Sequence, residues 1–222
     1  MLARSHRMLA KFVGVAAILI LVGGCTSISY KPSLSLGPSP VTIHRKVQVD
    51  SFRDESPPRD KGRKVGGTSA TEPGTMAGDL AAEVTNAVLT DFNNNAVFET
   101  IRARVEDPDL IMRGTIRRFY GHAAPNALAW ATIPVDFIWF FGLPIQSDKG
   151  EVDLEVQLYR PDDTLVSTYG GRSECSGMYT MYNNPVLGIG TRLNRAFDVA
   201  IAQIRGQIVA DAGRLSAAKI VR

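Results

Sequence analysis

The chain has 222 residues, 45% of them hydrophobic and 21% charged, enough for one globular domain or at most two small ones. That excludes a wholly disordered chain, a collagen-like repeat and a multi-span membrane protein. The formal charge of +3 comes from Arg4, Arg7 and Lys11 at the N-terminus; the rest balances 22 basic against 22 acidic residues, so the basic pI is no argument for nucleic-acid binding.

Residues 1–11 carry those three cations and no acid, and Phe12–Val22 is an unbroken apolar run that ends at Gly23-Gly24-Cys25. A charged start, an apolar core and small residues before a cut form a secretory leader. The run is shorter than the roughly twenty apolar residues of a spanning helix. Val22-Gly23-Gly24-Cys25 resembles the bacterial lipobox. The resemblance implies that residues 1–24 are removed and that Cys25 becomes the acylated first residue. Three acyl chains at ~0.8 kcal/mol per buried CH₂ make a stable membrane anchor. Thr26 stands where retained inner-membrane lipoproteins carry Asp, which implies the periplasm-facing leaflet of the outer membrane. An ordinary signal peptide with a chance cysteine is the alternative. With Cys25 lipidated, Cys175 has no intramolecular disulfide partner, and it is expected as a small, partly buried residue.

Residues 25–40, rich in Ser, Thr and Pro, read as a tether reaching ~50 Å when fully extended. Val41–Phe52 reads as the first strand, with Phe52 breaking the alternation near its end. Arg53–Gly74 is expected as a long exposed loop. Leu80, Val84, Val88 and Phe92 predict a helix over Met76–Phe92, stopped by Asn93-Asn94-Asn95 in the left-handed conformation. A short strand at Ala96–Val105 and a firmer one at Asp109–Tyr120 follow, joined by a turn at Asp107-Pro108. Residues 121–148 are expected as an aromatic-rich insertion. The clearest strand is Glu151–Arg160, where Val152, Leu154, Val156 and Leu158 alternate with polar residues. Pro161-Asp162-Asp163 turns into Thr164–Glu174 as a hairpin partner. Leu193, Phe197, Ile201, Ile204 and Ile208 predict a last helix over Arg192–Ala212, capped by Gly213, and residues 214–222 a tail.

This order predicts an α+β fold: a two-layer domain over residues 41–213, with a mixed β-sheet and two main amphipathic helices on one face. Val49-Asp50-Ser51-Phe52-Arg53-Asp54, Leu89-Thr90-Asp91-Phe92, Val97-Phe98 and Asp109-Leu110-Ile111-Met112-Arg113-Gly114-Thr115-Ile116 carry a weak resemblance over Val41–Ala212. The chain resembles an envelope group comprising the curli-secretion lipoprotein, the TolB amino-terminal domain, the lipoprotein activators of penicillin-binding proteins and the YajG-type lipoproteins. The resemblance implies fold and compartment and says little of activity.

No catalytic, metal or cofactor set emerges. His44 and His122 stand apart from any ligand spacing. Gly171-Arg172-Ser173-Glu174-Cys175 lacks the closing glycine of a nucleophile elbow, and Gly188-Ile189-Gly190 lacks a phosphate-loop continuation. Asp50, Asp54 and Glu55 cluster after the first strand and are the basis of an alternative reading as a periplasmic enzyme. Arg53 and Arg59 interleave with them, which favours a solvated, charge-balanced loop. Residues 123–145 hold both tryptophans and a single charge, Asp136. Pro125, Pro134, Gly142 and Pro144 argue against a regular spanning helix. Burial within the fold and an exposed contact surface stay open. Trp130, Phe137, Trp139, Phe140 and Phe141 are the contact candidates, with Tyr179 and Tyr182 from the Met-, Tyr- and Asn-rich loop at 178–185. The function expected is a non-catalytic binding or scaffolding accessory in the envelope, held to the membrane through Cys25. A protein partner or a second copy, and no nucleic acid, is expected; a purely structural lipoprotein is the remaining alternative.

Overall fold

Alternation of apolar and polar residues builds the sheet, and a computed structural model describes it over residues 29–62, 67–132, 140–180, 182 and 190–217. The elements are β1 (Ile43–Val49), β2 (Arg53–Asp54), α1 (Pro58–Lys61), β3 (Thr68–Ser69), α2 (Leu80–Asn94), β4 (Phe98–Arg102) and β5 (Leu110–Pro125). They continue with α3 (Ala127–Thr132), β6 (Pro144–Tyr159), β7 (Leu165–Thr180), α4 (Thr191–Ala210) and α5 (Ala212–Ala217). Residues 1–24, expected as a leader, and Cys25 lie outside the described residues.

The strand order is β4-β1-β5-β6-β7, with β2 and β3 paired to β5. β1 runs parallel to β4 and β5, whereas β5, β6 and β7 are antiparallel. The domain is therefore an α+β two-layer structure with a mixed sheet. β4 and β5 are not the adjacent pair that their tight turn suggests. The buried face of β1 (Ile43, Val47, Val49) takes the place between them and gains a partner on each edge.

α2 buries Leu80, Val84, Val88 and Phe92, and α4 buries Leu193, Phe197, Ile201, Ile204 and Ile208. These side chains join the inward residues of the sheet in one continuous core. Asp79 accepts from the Ala82 N–H at 3.0 Å, so α2 starts later than its apolar period suggests. Its left-handed exit residue is Ala96 (φ 50°), while Asn95 turns its side chain back onto Asp91. A Cβ at Gly171 would fall 2.1 Å from the Ala200 carbonyl oxygen, so glycine there lets α4 lie directly on β7.

Two one-residue slips set which side chains face the core. β2 resumes pairing with β5 one residue out of step with β1: Val49 lies opposite Met112, but Arg53 lies opposite Thr115. The extra residue turns Phe52 inward over Gly114, where a Cβ would meet the ring at 2.3 Å. On β5 the pairing slips at Arg117. Leu110, Met112 and Ile116 face the core before it, and Phe119 after it.

Four regions differ from the sequence expectation. Arg53–Gly74, expected as an exposed loop, carries β2, α1 and β3 and buries Ser56, Asp60, Ser69, Ala70 and Thr71. Residues 30–40 do not hang free as a tether. The Tyr30 N–H donates to the Thr75 carbonyl and the Ala77 N–H to that of Tyr30, at 2.7 and 2.8 Å. Ser35 bonds Asp198 through both backbone and hydroxyl, Arg205 donates to the Gly37 carbonyl, and the Ser39 N–H reaches Asn95. β5 and β6 stay paired to Pro125 and Gln146, well into the segment expected as an insertion. Their small inward residues Gly121 and Ala123 leave little periodic signal. Residues 214–217, expected as tail, form α5 on β1, with Leu215 buried and its carbonyl accepting from Arg45.

Candidate functional site

The long β5–β6–β7 ladder ends in an apolar tip. Asn126 closes it: its side chain donates to the Pro144 carbonyl at 2.7 Å and accepts from the Ala129 N–H at 2.8 Å, which starts α3. Phe140, Phe141, Leu128, Met178 and Tyr182 are exposed there, Phe141 at 79% and Tyr182 at 69%. The Tyr182 hydroxyl donates to the Phe140 carbonyl, so one ring braces the backbone that carries the next. Beyond the Ser147–Met178 pair the described strand and α3 residues carry no charged side chain of their own, and the Arg192 guanidinium of α4 reaches in over Tyr179.

Of the contact candidates, Phe140, Phe141 and Tyr182 therefore lie together at the tip. Tyr179 is a correction: it is 8% exposed and packs under the Arg192 guanidinium, 5.6 Å from its ring centre. Alternation along β7 turns Met178 out and Tyr179 in. The Trp130 side chain, Phe137, Trp139 and Cys25 are not among the described positions. The sequence reading missed Leu128, whose exposure depends on α3 forming.

At the base of the tip Asp148 is buried beside the start of α4, which has Gly190 (φ 102°) as its first cap and no side-chain cap of its own. Burial raises the Asp148 carboxyl above the ordinary carboxylate range, while the Arg192 N–H bonds it and opposes the shift. A strand residue thus supplies the cap that the helix lacks. A Cβ at Gly190 would meet the Tyr30 ring at 2.3 Å, and the Tyr30 hydroxyl donates to Asn194 at 2.8 Å. The chain therefore enters the domain next to the base of the tip.

The carboxylates of the alternative enzyme reading each have their own cation. Asp50 pairs with Arg113 at 3.1 Å, Asp54 with Lys61 at 2.7 Å and Glu55 with Arg53 at 3.9 Å. Partial burial works against ionisation of Asp54, yet Lys61 and the Ser56 N–H hold it below its ordinary range. Further along the outer face Arg118 pairs with Asp60 and Glu151, and Lys149 with Glu151 and Glu174. His44 is exposed beside Glu99, and Cys175 is partly buried against the core. No group of three or more His, Cys, Asp or Glu side chains among the described residues is placed to hold a metal ion. No described helix is long and apolar enough to cross a membrane.

No protein-family model matches the chain, and no curated protein does. Its fold is similar to that of protein XCC0632 from Xanthomonas campestris, of family DUF330. The two share 12% identity over 86% of this chain and 99% of that one, with a TM-score of 0.46. A candidate lipoprotein from Caulobacter crescentus aligns at 13% identity over 75% of this chain and 92% of its own, with a TM-score of 0.30. Lipoprotein GNA1162 from Neisseria meningitidis aligns at 14% identity over 73% and 99%, with a TM-score of 0.26. At such scores nothing about the role of this chain follows from them.

Proposed function

We propose that the mature chain is an envelope lipoprotein, anchored through acylated Cys25 in the periplasm-facing leaflet of the outer membrane, that works by binding. Its role is that of a scaffolding accessory to an envelope assembly or export system. The observation that carries the binding reading is the exposed apolar tip on a domain whose cluster carboxylates are each ion-paired. Leaving Phe140, Phe141 and Tyr182 in water costs about 25 cal/mol per Å² of apolar area, so a surface of this kind is built to be covered.

Two measurements test it. Metabolic labelling with an alkynyl fatty acid should mark the native protein and leave Cys25→Ser unmarked and released from the membrane fraction. A Cys25→Ser protein that still labels defeats the anchor. Crosslinking in intact cells followed by mass spectrometry should recover a reproducible envelope protein. Recovery of none defeats the accessory role and leaves a purely structural lipoprotein. In the same assay Phe140→Ser with Phe141→Ser should weaken the crosslinks while the melting temperature holds, because both rings are exposed. Loss of the fold instead would place these rings in the core.

A further inference from the structure

We infer that the Phe140–Phe141 tip inserts into the bilayer that holds the Cys25 acyl chains, and that the docked segment 30–40 fixes the domain upright on that surface. This deepens the anchored-lipoprotein reading and rests on it.

The argument is one of chain length. Tyr30 is locked against Thr75, Ala77 and Asn194 and lies 6.5 Å, ring to ring, from Phe119. Only Thr26–Ser29 separate it from Cys25. Five residue steps span at most ~18 Å. Wherever those residues run, the acylated cysteine stays within that distance of Tyr30.

The two ends of the sheet stand differently to that limit. From Phe119, β5 runs six more residues to Pro125 and the tip, ~20 Å at about 3.3 Å per strand residue. In the other direction it runs nine residues back to Leu110, ~30 Å. At full extension the anchor comes to within about 2 Å of the level of Pro125, so the tip can reach past it, whereas the far end, where β5 starts and β6 meets β7, lies well beyond its reach. Segment 30–40 also leaves Tyr30 away from the tip: it reaches Asn194, then Asp198, then Arg205 along α4. Tyr30 therefore stands at the tip end of that path.

The chemistry of the tip suits lipid. Along β6 the first charges below the tip are Asp148, which is buried, and Lys149, while the Arg192 guanidinium of α4 lies over the Tyr179 ring. Phe140, Phe141, Leu128 and Met178 supply apolar surface. Tyr182 supplies an amphipathic ring of the kind enriched at the headgroup level, its hydroxyl already bonded to the Phe140 carbonyl. A second copy anchored in the same leaflet would lie beside this one, out of line with the tip of a domain held upright.

The test uses the full chain, expressed in a host that acylates lipoproteins and reconstituted in vesicles of phosphatidylethanolamine and phosphatidylglycerol. In a Cys175→Ala background, a nitroxide is placed at Phe141→Cys or, as the far-end control, at Leu165→Cys. Phe141 and Leu165 are both exposed, so neither change should disturb the fold, which circular dichroism checks. Power saturation should show the label at 141 open to oxygen and shielded from a nickel chelate only when vesicles are present. The label at 165 should stay open to nickel throughout. Intact mass reports acylation of Cys25 separately. An acylated protein whose 141 label stays open to nickel in vesicles overturns the insertion and leaves the anchor standing. A label shielded and dipolar-broadened without vesicles shows a second copy covering the tip, which also overturns it. An unmodified Cys25 overturns the anchor and the orientation together.

Discussion

Buried carboxylates in this chain are held by backbone as much as by cations. Asp91 sits in the core-facing stripe of α2, and burial raises its carboxyl; Arg205 at 3.7 Å, the Leu36 N–H and the Asn95 side chain act against that. Asp148 repeats the pattern: like Asp91, it buries an Oδ2 that makes no hydrogen bond among the described residues. A carboxyl whose folded pKa is raised contributes its full stability below the unfolded pKa and loses it as pH rises through the folded value. Asp148→Asn keeps an acceptor for the Arg192 N–H and removes the buried charge. Its melting temperature should match that of the native protein near pH 4 and exceed it increasingly toward pH 7. Thermal melts across that range that converge or reverse would show the ionised carboxylate to be the better cap.

At the scale of elements, the docked segment is the feature with the most consequence. Residues 30–40 have no period, yet they lie across α2 and α4 through backbone donors aimed at Asn194, Asp198, Asn95 and Asp91. Tyr30 is the apolar pin: it is buried, and that burial pushes its phenol above its ordinary range. Tyr30→Ala should cost roughly 3–4 kcal/mol in urea unfolding, the range for deleting a buried aromatic ring and one hydrogen bond. In the native protein the Ala77 amide, bonded to the Tyr30 carbonyl, should exchange with solvent only at the rate of global unfolding. A loss below 1 kcal/mol with fast exchange at Ala77 would mean the segment detaches on its own, and the ~18 Å limit on the anchor would no longer hold.

The whole molecule has a dry face and a salted one. Helices cover the inner face of the sheet, and the outer face carries Arg113, Arg117, Arg118 and Lys149 paired with Asp50, Asp163, Glu155, Asp60, Glu151 and Glu174. Most of these pairs have at least one partly exposed member, so solvent and salt screen them and each contributes little. Raising NaCl from 0.1 M to 1 M, which shortens the screening length from ~10 to ~3 Å, should lower the unfolding free energy by no more than about 2 kcal/mol. A larger fall would assign the outer face a share of the stability that the core has here.

Period and composition were enough for the fold class, both main helices and the β6–β7 hairpin, because each rests on a local alternation or a three- and four-residue stripe. They were also enough to single out Phe140, Phe141 and Tyr182, since so many apolar residues with so little charge stand out in any context. The register slips that turn Phe52 and Phe119 inward, the placing of β1 between β4 and β5, the burial of Tyr179 and the docking of residues 30–40 needed the tertiary structure. Each depends on a partner far along the chain: Gly114 for Phe52, Phe197 for Phe119, Arg192 for Tyr179, Asn194 and Asp198 for the segment. Long-range contacts of this kind leave no period in the sequence, and they bring the entry of the chain to the base of the tip.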